Sequence, residues 1–181
     1  AKKVIKKLQK RMETLVVGNP LDKNTDIGAI NSVEQLDRIK KLVKAGKQEG
    51  AGMWQPPGGV PRKGNWFKPT LFTECAQSHR IVQEEIFGPV VTIMPFDTEE
   101  EAIALANNTS YGLATSVWTE NLGRAHRMAE AIEVGLCWIN SWFLRDLRTP
   151  FGGVKASGVG REGGWEALRF FTEPKNVFVK Y

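Results

Sequence analysis

The stretch PVVTIMPFDTEEEAIALANNTSYGLATSVWTENLGRAHRMAEAIEVGLCWIN, residues 89–140, decides the fold. Three of its segments are rich in apolar and β-branched residues, and two segments between them carry apolar residues at helical spacing after a potential capping residue. The predicted strands are residues 89–96, 113–118 and 136–140, and the predicted helices are residues 98–107 and 121–133. This alternation predicts an α/β fold, with a parallel-type βαβαβ sheet covered by helices.

Two further helices are expected before this stretch. Residues 4–15 carry apolar side chains at helical spacing beside a set of lysines. Ser32 and Gln35 have the spacing of a capping box, which opens a helix that ends near Gly50. Residues 55–64 are rich in proline and glycine, which favours a surface loop that joins elements.

Composition limits the classes of protein to consider. The chain has 181 residues, of which 41% are hydrophobic and 25% charged, as in an ordinary soluble globular protein. No apolar run reaches the length of a membrane span, and the two cysteines lie too far apart in sequence to suggest a disulfide framework. The net charge of +5 comes from the lysines and arginine of residues 1–11. We therefore expect a cytoplasmic protein that binds neither nucleic acid nor membrane.

Ligand-binding residues are expected after the last strand, because sites in open α/β sheets lie beyond the carboxyl ends of strands. The segment 141–164 contains Arg145, Arg148 and Phe151. Arginines among aromatic residues suit an anionic group, since a guanidinium binds a carboxylate through two hydrogen bonds. The other interpretation is a charged loop in which both arginines pair with Asp146 or with solvent. The spacing alone does not decide between them.

Three other patterns give weaker indications of function. The motif GVGREG at 158–163 matches G-x-G-x-x-G, but it lacks the preceding strand and the later acidic residue of a dinucleotide site, so its glycines are expected to allow close backbone packing. Cys137 lies in an apolar run and is expected to be inert. Cys75 has His79 four residues later, without a third group to orient the pair. No metal site is predicted.

The segment QEEIFGPV, residues 83–90, contains a carboxylate pair beside an aromatic residue. A carboxylate there could accept hydrogen bonds from ribose hydroxyls, and Phe87 could face a planar ring. From physical chemistry alone, a solvated acidic pair beside a buried phenylalanine is the simpler interpretation.

Taken with three other motifs, that segment resembles the NAD(P)-dependent aldehyde dehydrogenase superfamily. The others are ANNTSYGL (106–113), WIN (138–140) and PFGGVKASG (150–158), in the order and at the spacing of the family. The resemblance is to the C-terminal part of the family's polypeptide. It implies that residues 1–172 are a portion of the catalytic domain and that 173–181 form the last strand, used in oligomerisation.

The resemblance also implies roles for individual residues. Glu85 matches the glutamate that binds the nicotinamide-side ribose, and Phe87 matches the phenylalanine beside the nicotinamide. Gln35 and Arg38 match positions near the adenosine ribose, with arginine in place of a more usual lysine. The implied coenzyme is NAD or NADP.

Two more positions correspond to the aldehyde side of the family's site. Phe151 resembles the aromatic residue of the aldehyde pocket, and Glu162 resembles a glutamate that relays protons. The segment WFLRDLRTPF, residues 142–151, looks most like the branch that oxidises hydroxymuconate and aminomuconate semialdehydes. Many relatives have an aromatic residue where Arg145 stands, so Arg145 is expected to bind a substrate carboxylate, with Arg148, three residues further along the loop, as the second candidate.

The family's nucleophilic cysteine, general-base glutamate and glycine-rich coenzyme turn have no match in these residues. Neither cysteine fits the nucleophile's motif. We therefore expect part of an aldehyde dehydrogenase, inactive alone, whose partners are a small aldehyde and either a missing N-terminal half or further copies of itself. The alternative is a non-catalytic module of the same fold that serves association or binding.

Overall fold

The computed structural model describes residues 1–181, which form two compact units, Ala1–Pro95 and Phe96–Tyr181. The first unit has one three-stranded sheet and the second has two two-stranded sheets, each unit with its own helices. No helix combines the length and the apolar character that crossing a lipid bilayer requires.

The first unit begins with two helices, α1 (Lys2–Met12) and α2 (Val33–Gln48). In α1 the lysines are exposed and Met12 is buried, as the spacing predicts. Ser32 caps α2, because its side chain accepts a hydrogen bond of 3.1 Å from the backbone N–H of Gln35. Both predicted helices are therefore confirmed, including the capping residue of the second.

A three-stranded sheet completes the first unit. It consists of β1 (Gly52–Trp54), β2 (Thr70–Thr73) and β3 (Val90–Thr92), with the short helix α3 (Arg80–Gln83) between β2 and β3. Strand β2 lies in the middle, antiparallel to β1 and parallel to β3. Ile39 of α2 and Phe72 of β2 are completely buried and form the centre of the hydrophobic core.

The second unit alternates short helices and strands. Its elements are α4 (Glu99–Asn107), β4 (Tyr111–Gly112), β5 (Ala114–Val117), α5 (Leu122–Ala131), β6 (Leu136–Ile139), β7 (Val154–Lys155) and α6 (Gly164–Phe170). Strands β5 and β6 pair in parallel with α5 between them in sequence, and β4 pairs antiparallel with β7. The side chains of Thr98 and Asn121 cap α4 and α5. The two helices predicted from residues 98–107 and 121–133 are confirmed.

One carboxylate links the two longer helices of this unit. Glu99 at the start of α4 accepts hydrogen bonds of 2.7 and 2.8 Å from Arg127 and one of 3.2 Å from Arg124, both on α5. These two guanidinium groups lower the pKa of Glu99 from its ordinary 4.5 to about 2. The ionised carboxylate therefore holds the N-termini of α4 and α5 together.

The α/β class is confirmed, but the three predicted strands do not form one sheet. β3 pairs with β2, and β5 pairs with β6 in a separate sheet. The sequence order was informative about the strands and not about their neighbours, because consecutive strands are adjacent only about two-thirds of the time. Residues 174–181 have no regular secondary structure in the single chain, and the oligomerisation strand there stays a prediction.

Candidate active site

A strained turn in the first unit presents an aromatic ring to solvent. We call Glu85, Ile86 and Phe87 the 85–87 turn. Ile86 is buried, whereas Phe87 is 70% exposed and has a φ of +56°. A left-handed backbone conformation is costly for a bulky residue, and such strain is found most often at functional sites. The simpler expectation, a buried phenylalanine, is therefore wrong.

Side chains of α2 donate hydrogen bonds to the backbone carbonyls of this turn. The Gln35 amide donates hydrogen bonds to the carbonyls of Ile86 (3.0 Å) and Phe87 (3.1 Å), and Arg38 donates one of 3.2 Å to the carbonyl of Glu85. Gly88 leaves no room for a side chain, because a Cβ there would lie 2.6 Å from Ile39. Gln35 and Arg38 thus lie beside Glu85 and Phe87, the predicted coenzyme-binding residues, and fix the backbone there. Their contact with an adenosine ribose stays a prediction.

The structure distinguishes the two neighbouring glutamates. Glu84 forms an ion pair of 2.6 Å with Arg80, and this guanidinium lowers the pKa of Glu84. Glu85 is exposed, and its carboxylate makes no hydrogen bond or ion pair with the chain. Glu85 is therefore the carboxylate that is available to accept hydrogen bonds from a ligand.

Arg145, Phe151 and Glu162, three residues predicted to lie at the site, meet in the second unit, and we call them the Arg145 cluster. The guanidinium carbon of Arg145 lies 4.3 Å from the centre of the Phe151 ring, within the range of a cation–π contact. Arg145 Nη2 forms an ion pair with Glu162 Oε1. Phe151 and Glu162 also exchange backbone hydrogen bonds of 2.7 and 2.8 Å.

The two arginines of the loop after β6 have different partners. Arg148 pairs with Asp146 at 2.6 Å and lowers the pKa of that carboxyl, and its side chain is 89% exposed. Arg145 does not pair with Asp146; its side chain is 33% exposed and lies on Phe151. The charged-loop interpretation is therefore correct for Arg148, while Arg145 has the aromatic contact expected at an anion site.

Two glycines let the segment after Glu162 pack closely against the backbone of Arg148 and Thr149. A Cβ at Gly163 would collide with the carbonyl of Thr149, and one at Gly164 with the carbonyl of Arg148. Both glycines have positive φ, at +86° and +53°. Gly163, the last glycine of the motif, thus allows the close backbone packing that the sequence predicts, and Gly164 extends it.

The sequence did not predict the positioning roles of two residues of the WIN motif. Trp138 of β6 donates a hydrogen bond of 2.9 Å from its indole to the carbonyl of Leu144, which anchors the loop before Arg145. Asn140, at a φ of +51°, exchanges two hydrogen bonds of 2.8 Å with the backbone of Thr119. The signal was an asparagine at a strand end, since asparagine tolerates the left-handed region better than most residues.

Neither cysteine has the surroundings of a nucleophile. Burial raises the pKa of both the Cys75 and the Cys137 thiol, which disfavours the reactive thiolate. Nδ1 of His79 accepts a hydrogen bond of 3.3 Å from the backbone N–H of Ala76, while the Cys75 thiol points to the carbonyl of Thr73. The expectation that both thiols are unactivated agrees with this geometry.

Comparison with known proteins places these features in a family. The sequence matches the aldehyde dehydrogenase family over residues 1–177. It is 47% identical over 182 aligned positions to a 2-hydroxymuconic semialdehyde dehydrogenase of Pseudomonas sp. (strain CF600), with 97% of this chain covered. A 2-aminomuconic 6-semialdehyde dehydrogenase of Pseudomonas sp. is 45% identical over 179 positions, which cover 96% of this chain and 36% of that protein.

A solved structure shows the same architecture. The NAD+ complex of an aldehyde dehydrogenase from Bacillus cereus superposes with a TM-score of 0.92 at 42% identity, and covers 98% of this chain and 36% of that one. The chain spans 37% of the length of the first of these curated relatives. Because the match extends over almost every residue in both sequence and structure, the chain belongs to the aldehyde dehydrogenase family.

Proposed function

We propose that these residues form the coenzyme-side turn and the aldehyde-side loop of an NAD(P)-dependent dehydrogenase, which oxidises a carboxylate-bearing semialdehyde to the acid. The observation that carries the proposal is the Arg145 cluster. It places a guanidinium over an aromatic ring, 4.3 Å from the ring centre, next to the glutamate that matches the family's proton relay. Two relatives named for muconic semialdehydes support the same substrate class.

The 85–87 turn would bind the coenzyme. The exposed, unpaired carboxylate of Glu85 fits the two hydroxyls of a ribose, which donate hydrogen bonds to it. The exposed ring of Phe87 offers a flat apolar face to a nicotinamide. When bound, NAD+ would accept a hydride from the aldehyde carbon. Gln35 and Arg38 keep both side chains in place through the backbone carbonyls of the turn.

The Arg145 cluster would bind and orient the aldehyde. The Phe151 ring excludes water from one face of the guanidinium, and this strengthens the attraction of Arg145 for an anion. A substrate carboxylate on Arg145 would direct the aldehyde end away from the loop. Glu162 would serve as the proton relay, the role that the family resemblance assigns to it.

We propose that the nucleophile lies outside these residues, since neither cysteine fits the family's motif and burial raises the pKa of both thiols. We propose that the 181 residues do not oxidise aldehydes alone and work with the family's cysteine-bearing region. Residues 1–172 would be the catalytic-domain portion, and residues 173–181 would pair with a second copy in a cytoplasmic oligomer. The exposed Val177, Phe178 and Val179 of this segment are suited to burial in such a contact.

The test replaces Arg145 in the complete enzyme that contains these residues. Arg145→Gln should lower kcat/KM for a semialdehyde carboxylate about ten- to a hundredfold, the range of a lost charge-assisted hydrogen-bond pair, with no loss for a neutral aldehyde of the same length. Arg148→Gln is the matched control, because Arg148 is exposed and paired with Asp146. Equal losses on both aldehydes would show that Arg145 supports structure, and the carboxylate proposal would be withdrawn.

A further inference from the structure

The ion pair between Arg145 and Glu162 places a carboxylate of the protein where the substrate's carboxylate is proposed to bind. This inference rests on the proposed function. We infer that Glu162 is an internal competitor for Arg145, which the distal carboxylate of the semialdehyde displaces when it binds. Glu162 would thus occupy the anion site on Arg145 until the carboxylate of a substrate binds there.

The two partners of the pair differ in how firmly they are held. Arg145 lies against the Phe151 ring, and only 33% of its side chain is exposed. The Glu162 side chain is 60% exposed, and its contact with the chain is the Arg145 guanidinium. Breaking the pair therefore leaves the guanidinium on the ring and lets the carboxylate turn into solvent.

The backbone of Glu162 does not need to move in this exchange. Its N–H and C=O are both bonded to Phe151, at 2.8 and 2.7 Å. Gly163, the next residue, packs against the carbonyl of Thr149. Rotation about the side-chain bonds of Glu162 is thus sufficient to clear Arg145, and the loop keeps its shape.

The same exchange connects recognition to chemistry. While Glu162 is bound to Arg145, its carboxylate is engaged and cannot serve a proton relay. When a substrate carboxylate takes its place, Glu162 is free to turn toward the reacting end. A neutral aldehyde would leave the pair intact, so selectivity would arise both from binding and from the release of Glu162.

The size of the effect follows from the strength of an exposed ion pair. Such a pair shifts an equilibrium constant by about a factor of two to four, so Glu162 would leave about a third to a fifth of the Arg145 sites open. An internal competitor weakens the apparent affinity of a ligand by the fraction of sites that it leaves open. Removing the competitor should therefore tighten binding of a dicarboxylate about three- to fivefold.

The experiment measures the dissociation constant of hexanedioate, an unreactive six-carbon dicarboxylate, by titration calorimetry on the complete enzyme. Glu162→Gln should lower this constant about three- to fivefold. Glu162→Asp should lower it too, since the charge is kept but the shorter side chain no longer reaches Arg145. Hexanediamide, which is neutral, should bind wild type and both variants equally.

Asp146→Asn is the matched control, because it removes a negative charge from the same loop without touching Arg145. An equal gain in Asp146→Asn, or no gain in either Glu162 variant, would overturn the inference. So would a gain in Glu162→Gln that is absent in Glu162→Asp, because that result would indicate simple charge repulsion. If Arg145→Gln leaves hexanedioate binding unchanged, the proposed function fails instead.

Discussion

Phe87→Gly tests whether the 85–87 turn is shaped for a ligand or for stability. Phe87 is 70% exposed, so about 60 Å² of a side chain of about 200 Å² is buried, and its loss should cost about 1.5 kcal/mol. A φ of +56° costs a residue other than glycine roughly 1–2 kcal/mol in backbone strain, and the substitution by glycine removes this cost. The greater freedom of glycine in the unfolded chain costs about 0.5–1 kcal/mol.

These contributions partly offset one another, so Phe87→Gly should lower the free energy of unfolding by no more than about 1.5 kcal/mol, as measured by urea denaturation. Phe72→Ala is the contrast, because Phe72 is completely buried and its truncation should cost about 3–5 kcal/mol. In the complete enzyme, loss of the exposed ring should raise the dissociation constant of NAD+ about two- to tenfold. A stability loss comparable to that of Phe72→Ala, with unchanged NAD+ binding, would refute a ligand-facing role for Phe87.

Three further predictions concern the rest of the chain. Glu99→Gln should lower the urea midpoint at pH 7, because the ionised carboxylate, with its lowered pKa, stabilises the folded state. The difference from wild type should disappear as the pH falls from 4.5 to 2 and the wild-type carboxylate is protonated, whereas a constant difference across that range would count against the Arg124 and Arg127 contacts. The 181-residue chain alone should produce no NADH from any aldehyde, and turnover abolished by Cys75→Ala or Cys137→Ala would show that a thiol has been misassigned. Deletion of residues 174–181 should shift the oligomeric state measured by light scattering at tens of micromolar, whereas a monomer that the deletion leaves unchanged would contradict the association proposal.

Local signals in the sequence were reliable guides to the four longer helices, α1, α2, α4 and α5, whereas the short helices α3 and α6 were not predicted. Ser32, Thr98 and Asn121 each cap a helix within three residues of their own position, so short-range chemistry determines them. Strand β2 was missed, since three of its four residues are buried and it shows no alternation of polar and apolar positions. Its pairing with β3 could not be derived from a pattern in either segment.

Side-chain partners distant in sequence were the least predictable part of the candidate site. Gln35 was interpreted as half of a capping box, yet its amide bonds to carbonyls 51 and 52 residues away. Arg145 has an acidic neighbour in sequence, Asp146, but pairs with Glu162, 17 residues later. The family resemblance named Gln35, Arg145 and Glu162 as site residues but not these contacts, and the physical chemistry of each segment alone left their partners undetermined.

The close packing at Gly163 and Gly164 has a consequence for how selectivity can change. The loop that carries Arg145 is held by contacts to the carbonyls of Thr149 and Arg148, and these contacts do not depend on the side chains at positions 145 and 148. If Arg145 binds the substrate as proposed, a substitution at 145 should alter which aldehyde is accepted without dismantling the loop that presents it. Selectivity in this fold can diverge one residue at a time, with the scaffold's stability largely preserved.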